Sequence, residues 1–280
     1  MADFTLAFLD LRRRFTERGV LELEIRLAQV ADIGATIDLV NLVHVRGAGL
    51  NSSKACLEGT RVKTLDELLS WINDSGAPPV RFLFGGAGTG KSAIAHSTGI
   101  YFKALRRLGS FFCFDRNFQG DRHPESVIST IARDLANRNP DFRRALANVL
   151  RDQRELEEST DFAAQWEGLI LEPLKHVTLV GPVLVVIDAF DESSFTDARS
   201  RRLLLSLLTE GSAQLPPNFR ILVTSRPERD VARAVSTARA RRRRLQTTSD
   251  PSGRLIAVGG NGLQSYPSEA GRSHVERAVR

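Results

Sequence analysis

The run Gly85-Gly86-Ala87-Gly88-Thr89-Gly90-Lys91-Ser92 constrains this chain more than any other stretch. It follows a strand-like apolar run, Val80 to Phe84, and after it Ile94, Tyr101, Leu105 and Leu108 recur along one face of a helix. A strand that enters a glycine-rich turn and leaves it as a helix aims successive backbone N–H groups at an anion, and the helix start adds positive potential. In that setting Lys91 reaches toward the β and γ phosphates and the Ser92 hydroxyl is placed for Mg²⁺. The predicted ligand is a nucleoside triphosphate with magnesium.

A second apolar run, Val183 to Ile187, suits a strand buried on both faces of a parallel sheet, and it ends in Asp188-Ala189-Phe190-Asp191-Glu192. Open α/β sheets bind ligands beyond the carboxyl ends of their strands. Asp188 is therefore expected at the metal, acting through its water shell, and Asp191 with Glu192 at an attacking water. A third run, Phe219 to Val223, leads into Thr224-Ser225-Arg226-Pro227. Thr and Ser there can bond phosphate or water, and Arg226 is expected to report a γ-phosphate; its alternative is to pair with a structural carboxylate.

These residues together resemble the NACHT branch of the STAND signal-transducing P-loop ATPases, in the fungal form with a nephrocystin-like amino-terminal NTPase segment. Gly85 to Ser92 resembles the Walker A loop, Ile187 to Glu192 the acid-rich Walker B, and Val223 to Pro227 the first sensor. Upstream, Cys56-Leu57-Glu58-Gly59-Thr60-Arg61 resembles the segment just before the NTPase core, which in the family lies near the nucleotide base, so the resemblance makes Thr60 and Arg61 binding candidates. The similarity covers roughly residues 45 to 235. It implies a three-layer α/β P-loop NTPase with a mostly parallel sheet, the sensor strand lying between the P-loop strand and the Walker B strand. It also implies an ATP/ADP switch, closed with ADP and opened for self-assembly by ATP, with slow Mg²⁺-dependent hydrolysis as the reset. Adenine rather than guanine follows from the resemblance alone.

Between the motifs the chain alternates as an α/β protein should. Leu65 to Ile72 is expected to be helical, Ser110 to Phe114 a strand, and Ser126 to Ala136, Asp141 to Leu150, Phe162 to Leu171 and Arg201 to Leu208 helices. The organisation expected is a helical segment over 1–46, the NTPase domain over 47–235 and a basic tail over 236–280. Phe4, Phe8, Leu11 and Phe15 form one apolar stripe of the first segment, and Val20, Leu23, Leu27 and Val30 form another. They pack on the core, or they bind a protein partner or a second copy. The second option defines the competing reading of the chain, a non-hydrolysing scaffold that works through its amino-terminal helices. Gly47 to Ser53 reads as a linker.

The tail departs from the family pattern. Ala240 to Thr247 could begin another strand, though four consecutive arginines suit a buried strand poorly, and beyond Thr248 Gly, Ser, Pro and Arg dominate without periodicity. The expected explanation is a truncated member lacking the winged-helix lid. Residues 231 to 280 hold ten arginines and no lysine against one aspartate and two glutamates, so the +6 of the whole chain resides there and the rest is near neutral. A basic nucleic-acid groove on the core is not expected. Two cysteines, Cys56 and Cys113, read as free thiols of a reducing cytosol, Cys113 as a buried strand residue. No apolar run is long enough to span a membrane. His96 reads as a packing or surface histidine, and His123 and His176 lack ligand-spaced partners.

Overall fold

Four short runs rich in β-branched, aromatic and leucine side chains form one parallel sheet: β1 Val80–Phe84, β2 Leu108–Cys113, β3 Val183–Asp188 and β4 Phe219–Ser225, in the order β1-β4-β3-β2. The computed structural model describes residues 20–22, 24, 26–27, 34–36, 39–45, 47–118, 122–195 and 197–248. Strand β4 lies between β1 and β3, as the family resemblance implied. Its residues are buried throughout, Phe219 and Ile221 to Val223 as apolar side chains and Arg220 with its guanidinium donating to the carbonyls of Pro217 and Phe219.

Helices cover both faces. Against one face pack α1 Val62–Asn73 and α2 Lys91–Ala104, whose Leu68, Trp71, Ile72, Ile94 and Phe102 meet Phe111, Leu184, Val186 and Leu222 of the sheet. Against the other pack α3 Glu125–Arg138, α4 Pro140–Asp152, the run α5 Phe162–Gln165, a π-helical turn Trp166–Leu171 and α6 Glu172–Lys175, and α7 Ala198–Thr209. Sheet residues alternate between the two cores: Val185, Ile187, Ile221 and Val223 face the second group. The helices begin where local chemistry directs them. Asn139 accepts from the N–H groups of Asp141 and Phe142 at the start of α4, with Pro140 in its first turn. Asp197 caps α7 in the same way, and the N–H of Ser200, then that of Arg199, hold its carboxyl below the ordinary value.

Three expectations change. Gly47 to Ser53 is not a loose linker: Ala48 is buried and its carbonyl accepts the Cys113 N–H at 2.8 Å, while Leu39, Leu42 and Val45 just upstream join the main core. Ala240 to Thr247 is no strand; it belongs to α8, Arg229–Thr248, because Ala and Arg favour helix intrinsically. Helix Phe162 to Leu171 carries an inserted π turn, which local periodicity does not reveal. The stripe from Phe4 to Phe15, with Leu23 and Val30, lies outside the described residues; Val20 and Leu27 are exposed. The chain divides into two units after Ala238. Among the described residues no helix is long and apolar enough to cross a membrane.

Candidate functional site

Parallel pairing brings the carboxyl ends of all four strands to one level. Phe84 pairs with Ser225, Ile187 with Val223 and Cys113 with Asp188, so the loops after β1, β3 and β4 leave the same edge side by side. The Gly85 N–H extends the ladder to Ser225 O at 3.3 Å. The glycine loop, the acid-rich turn that begins 96 residues after Ser92, and Arg226, 34 residues after Glu192, thereby become neighbours.

The loop after β1 turns through Gly88 and Gly90 at φ of +71° and +86°, conformations that tax any residue with a Cβ. At Gly85 a Cβ would stand 2.6 Å from Thr89 Oγ1, so a side chain there closes the loop. The helix that follows starts at Lys91 with no side-chain cap, leaving its first N–H groups for another acceptor. Lys91 Nζ donates to the carbonyls of Gly85 and Gly86, both at 2.8 Å. Burial, the largest influence, lowers the pKa of this ammonium; Asp191 opposes the shift, Arg226 adds to it and Asp188 opposes it. All three therefore stand within electrostatic reach of Lys91. Ala87 and Ser92 complete the loop and the first turn of α2.

Asp188 ends β3 almost fully buried, at 1% exposure. Thr224 donates to its Oδ1 at 2.5 Å, and Cys113 Sγ approaches its Oδ2 at 3.5 Å. The same Thr224 oxygen accepts the Ala189 N–H at 2.9 Å. That contact helps hold Ala189 at φ +56°, a left-handed conformation in which a small side chain costs least. Burial, and next the charge of Asp188, push the Cys113 thiol up to about 12. Cys113 is thus buried as expected, and it also touches the candidate metal carboxylate, a contact its apolar neighbours in sequence give no hint of.

Asp191, 7% exposed, holds Arg226 by a hydrogen bond and an ion pair: the Arg226 backbone N–H donates to Oδ1, and Nε lies against Oδ2, each at 3.0 Å. Of the two readings of Arg226, pairing with a carboxylate is the one seen, although the carboxylate belongs to the candidate site itself. Glu192 accepts the Arg116 N–H at 3.0 Å. Arg201 reaches Glu228 and Asp230 at the start of α8 while lying over the Phe190 ring, 5.5 Å from its centroid.

Arg61 heads α1 at φ +58°, and its guanidinium stands 3.5 to 4.0 Å from where a Cβ on Gly90 would lie. It sits beside the glycine loop. Thr60, by contrast, donates its hydroxyl to Leu57 O within its own turn, at 2.6 Å. His96, on α2, is buried, accepts the Asn51 N–H and stacks on Phe111 at 4.6 Å, so its packing role holds. Arg122 bonds Cys113 O and Gly47 O and so stitches the end of β2 to the chain upstream. Among the described residues no His, Cys, Asp and Glu cluster has metal-binding geometry.

Residues 59–226 match the family model described as Nephrocystin 3, N-terminal. The chain belongs to that family. The nephrocystin 3 amino-terminal match opens one residue before Thr60 and closes on Arg226, so it encloses every candidate site residue named above. No curated protein and no solved structure matches the chain.

Proposed function

We propose that this chain binds adenine nucleotide, ATP or ADP with Mg²⁺, and works as a NACHT-type switch with slow hydrolysis. The observation that carries the reading is the meeting of Gly85–Gly90, Lys91, Asp188 and the Asp191–Arg226 pair at one sheet edge. The loop fits a polyphosphate: Gly85, Gly88 and Gly90 occupy conformations or spaces a Cβ would spoil, and the N-terminus of a helix of 14 residues stands uncapped behind it. In this reading Lys91 leaves the loop carbonyls for the phosphates, Arg61 supports the loop from the side, and Thr60 and Ala87 shape its approaches.

The metal side fits more narrowly. Magnesium bound to the nucleotide would neutralise phosphate charge. Ser92 is the near ligand in the reading, with Asp188 acting through water, because both Asp188 oxygens are already engaged by Thr224 and Cys113. Glu192, on the outer side of the acid turn, is the carboxylate assigned to the attacking water, with Asp191 beside it and Arg226 reading the terminal phosphate. Adenine preference and self-assembly rest on the family resemblance.

The test is equilibrium binding of Mg-ATP and Mg-ADP to the full chain and to Lys91→Ala. Wild-type binding in the micromolar range, weakened about a hundredfold in the variant, is expected for loss of a charge-assisted phosphate contact. Equal affinities in the two proteins would reject the reading.

A further inference from the structure

Asp191 grips Arg226 at its root. One carboxylate oxygen accepts the backbone N–H and the other pairs with Nε, each at 3.0 Å, while the arginine side chain remains about half exposed. This grip uses neither of the terminal Nη groups, which make no bond among the described residues. The pair is framed on both sides. Arg201 rests on Phe190, the neighbour of Asp191, and ties down Glu228 and Asp230 just past Pro227. A carboxylate that is 7% exposed and holds a backbone donor together with Nε restricts both the backbone and the rotamer of an arginine, and leaves its forked tip free.

We propose that Asp191 is a positioning residue, which aims the Nη groups of Arg226 at the terminal phosphate and thereby sets the preference of the site for triphosphate over diphosphate. The inference rests on the nucleotide reading above. It moves Asp191 from the attacking water to the arginine and leaves Glu192 as the acid of the water. Orientation matters because an arginine free to swing contributes charge to any phosphate nearby, whereas an oriented fork favours the one phosphate it faces.

The experiment measures the affinities of Mg-ADP and a non-hydrolysable β,γ-imido analogue of ATP for the full chain, for Asp191→Asn, for Arg226→Ala and for the double variant. Asp191→Asn is expected to weaken the triphosphate analogue about tenfold and leave ADP within about twofold. The double variant is expected to match Arg226→Ala alone, since Asp191 acts through the arginine. Asp191→Glu, which keeps the charge, should recover part of the loss. Equal weakening of both nucleotides, additive losses in the double variant, or tighter binding of the triphosphate in Asp191→Asn would each overturn the proposal. The last of these outcomes would mean that Asp191 restrains the arginine instead of aiming it.

If Asp191→Asn does not fold, Arg226→Lys at the half-exposed position carries the test. Lysine keeps the charge but offers no Nε to grip, so triphosphate affinity should fall nearly as far as in Arg226→Ala, and wild-type affinity would refute the proposal. Should the wild type bind neither nucleotide, the functional reading fails and this inference with it. Binding of both nucleotides with a ratio indifferent to Asp191 removes the positioning role alone.

Discussion

Replacing Thr224 by valine, which keeps the shape and removes the hydroxyl, should destabilise the chain by about 3 kcal/mol. Thr224 is fully buried and its oxygen serves two partners, donating to Asp188 Oδ1 at 2.5 Å and accepting from Ala189 N at 2.9 Å. A hydrogen bond to a charged group contributes about 1.5–3 kcal/mol, and an orphaned buried N–H costs about 1–3 kcal/mol, partly offset by the methyl gained. For a chain of this size that corresponds to a Tm lower by roughly 6–12 °C. Urea unfolding followed by the fluorescence of Trp71 and Trp166, both buried, measures the loss directly. The same substitution in an Asp188→Asn background isolates the charge-assisted part, and there the cost should fall to about 1 kcal/mol. A loss below about 0.5 kcal/mol, or an equal loss in both backgrounds, would refute the view that Thr224 holds Asp188 in place.

Cys113 should resist alkylation in the native chain while the partly exposed Cys56 reacts, because a thiol raised to about 12 from an ordinary 9.0 carries roughly a thousandth of the thiolate at pH 8; equal native rates for the two would count against it. The folded state favours the neutral Cys113 thiol, so its contribution to stability is complete below pH 9.0 and is lost as pH rises toward about 12. Wild-type stability should fall through that window by up to about 1.4 kcal/mol per pH unit more steeply than that of Cys113→Ala, and parallel slopes would contradict the assignment. Ala189→Val, which puts a branched side chain at φ +56°, should cost about 1–2 kcal/mol, whereas Ala189→Gly should be neutral or stabilising; thermal melts of the two would settle the sign.

Much of the layout is local in origin and therefore legible without coordinates. Val80 to Phe84 and the glycine loop announce themselves because backbone freedom at glycine and strand composition are properties of short stretches. The apolar face expected of the following helix is right at Ile94 only: Tyr101 and Leu105 are exposed, the helix ends at Ala104 and Leu108 opens β2, because the sheet and not the local spacing decides which residues are covered. Val183 to Ile187 and Phe219 to Val223 read as buried strands for the same reason. The limits of Leu108–Cys113 differ by two residues at its start and one at its end from the reading Ser110 to Phe114, since ladder bonds to β3 decide where a strand starts and stops. Failures occur where a local pattern is ambiguous: Ala240 to Thr247 carries a run whose residues fit a helix better than a strand, and Gly47 to Ser53 looks like a linker until Ala48 is seen bonded to β2.

What the amino-acid order determined was the kind of pieces present: a glycine loop ahead of a helix, acids after one buried strand and an arginine after another. Partnership was decided only in three dimensions. Register in the parallel sheet sets Cys113 beside Asp188 and brings Thr224 to the same carboxylate from 36 residues away. It also sets Asp191, rather than solvent or a structural acid elsewhere, at the root of Arg226. Long-range pairing depends on strand order and on a packed core shared by distant segments, and neither leaves a signature in any short window of residues.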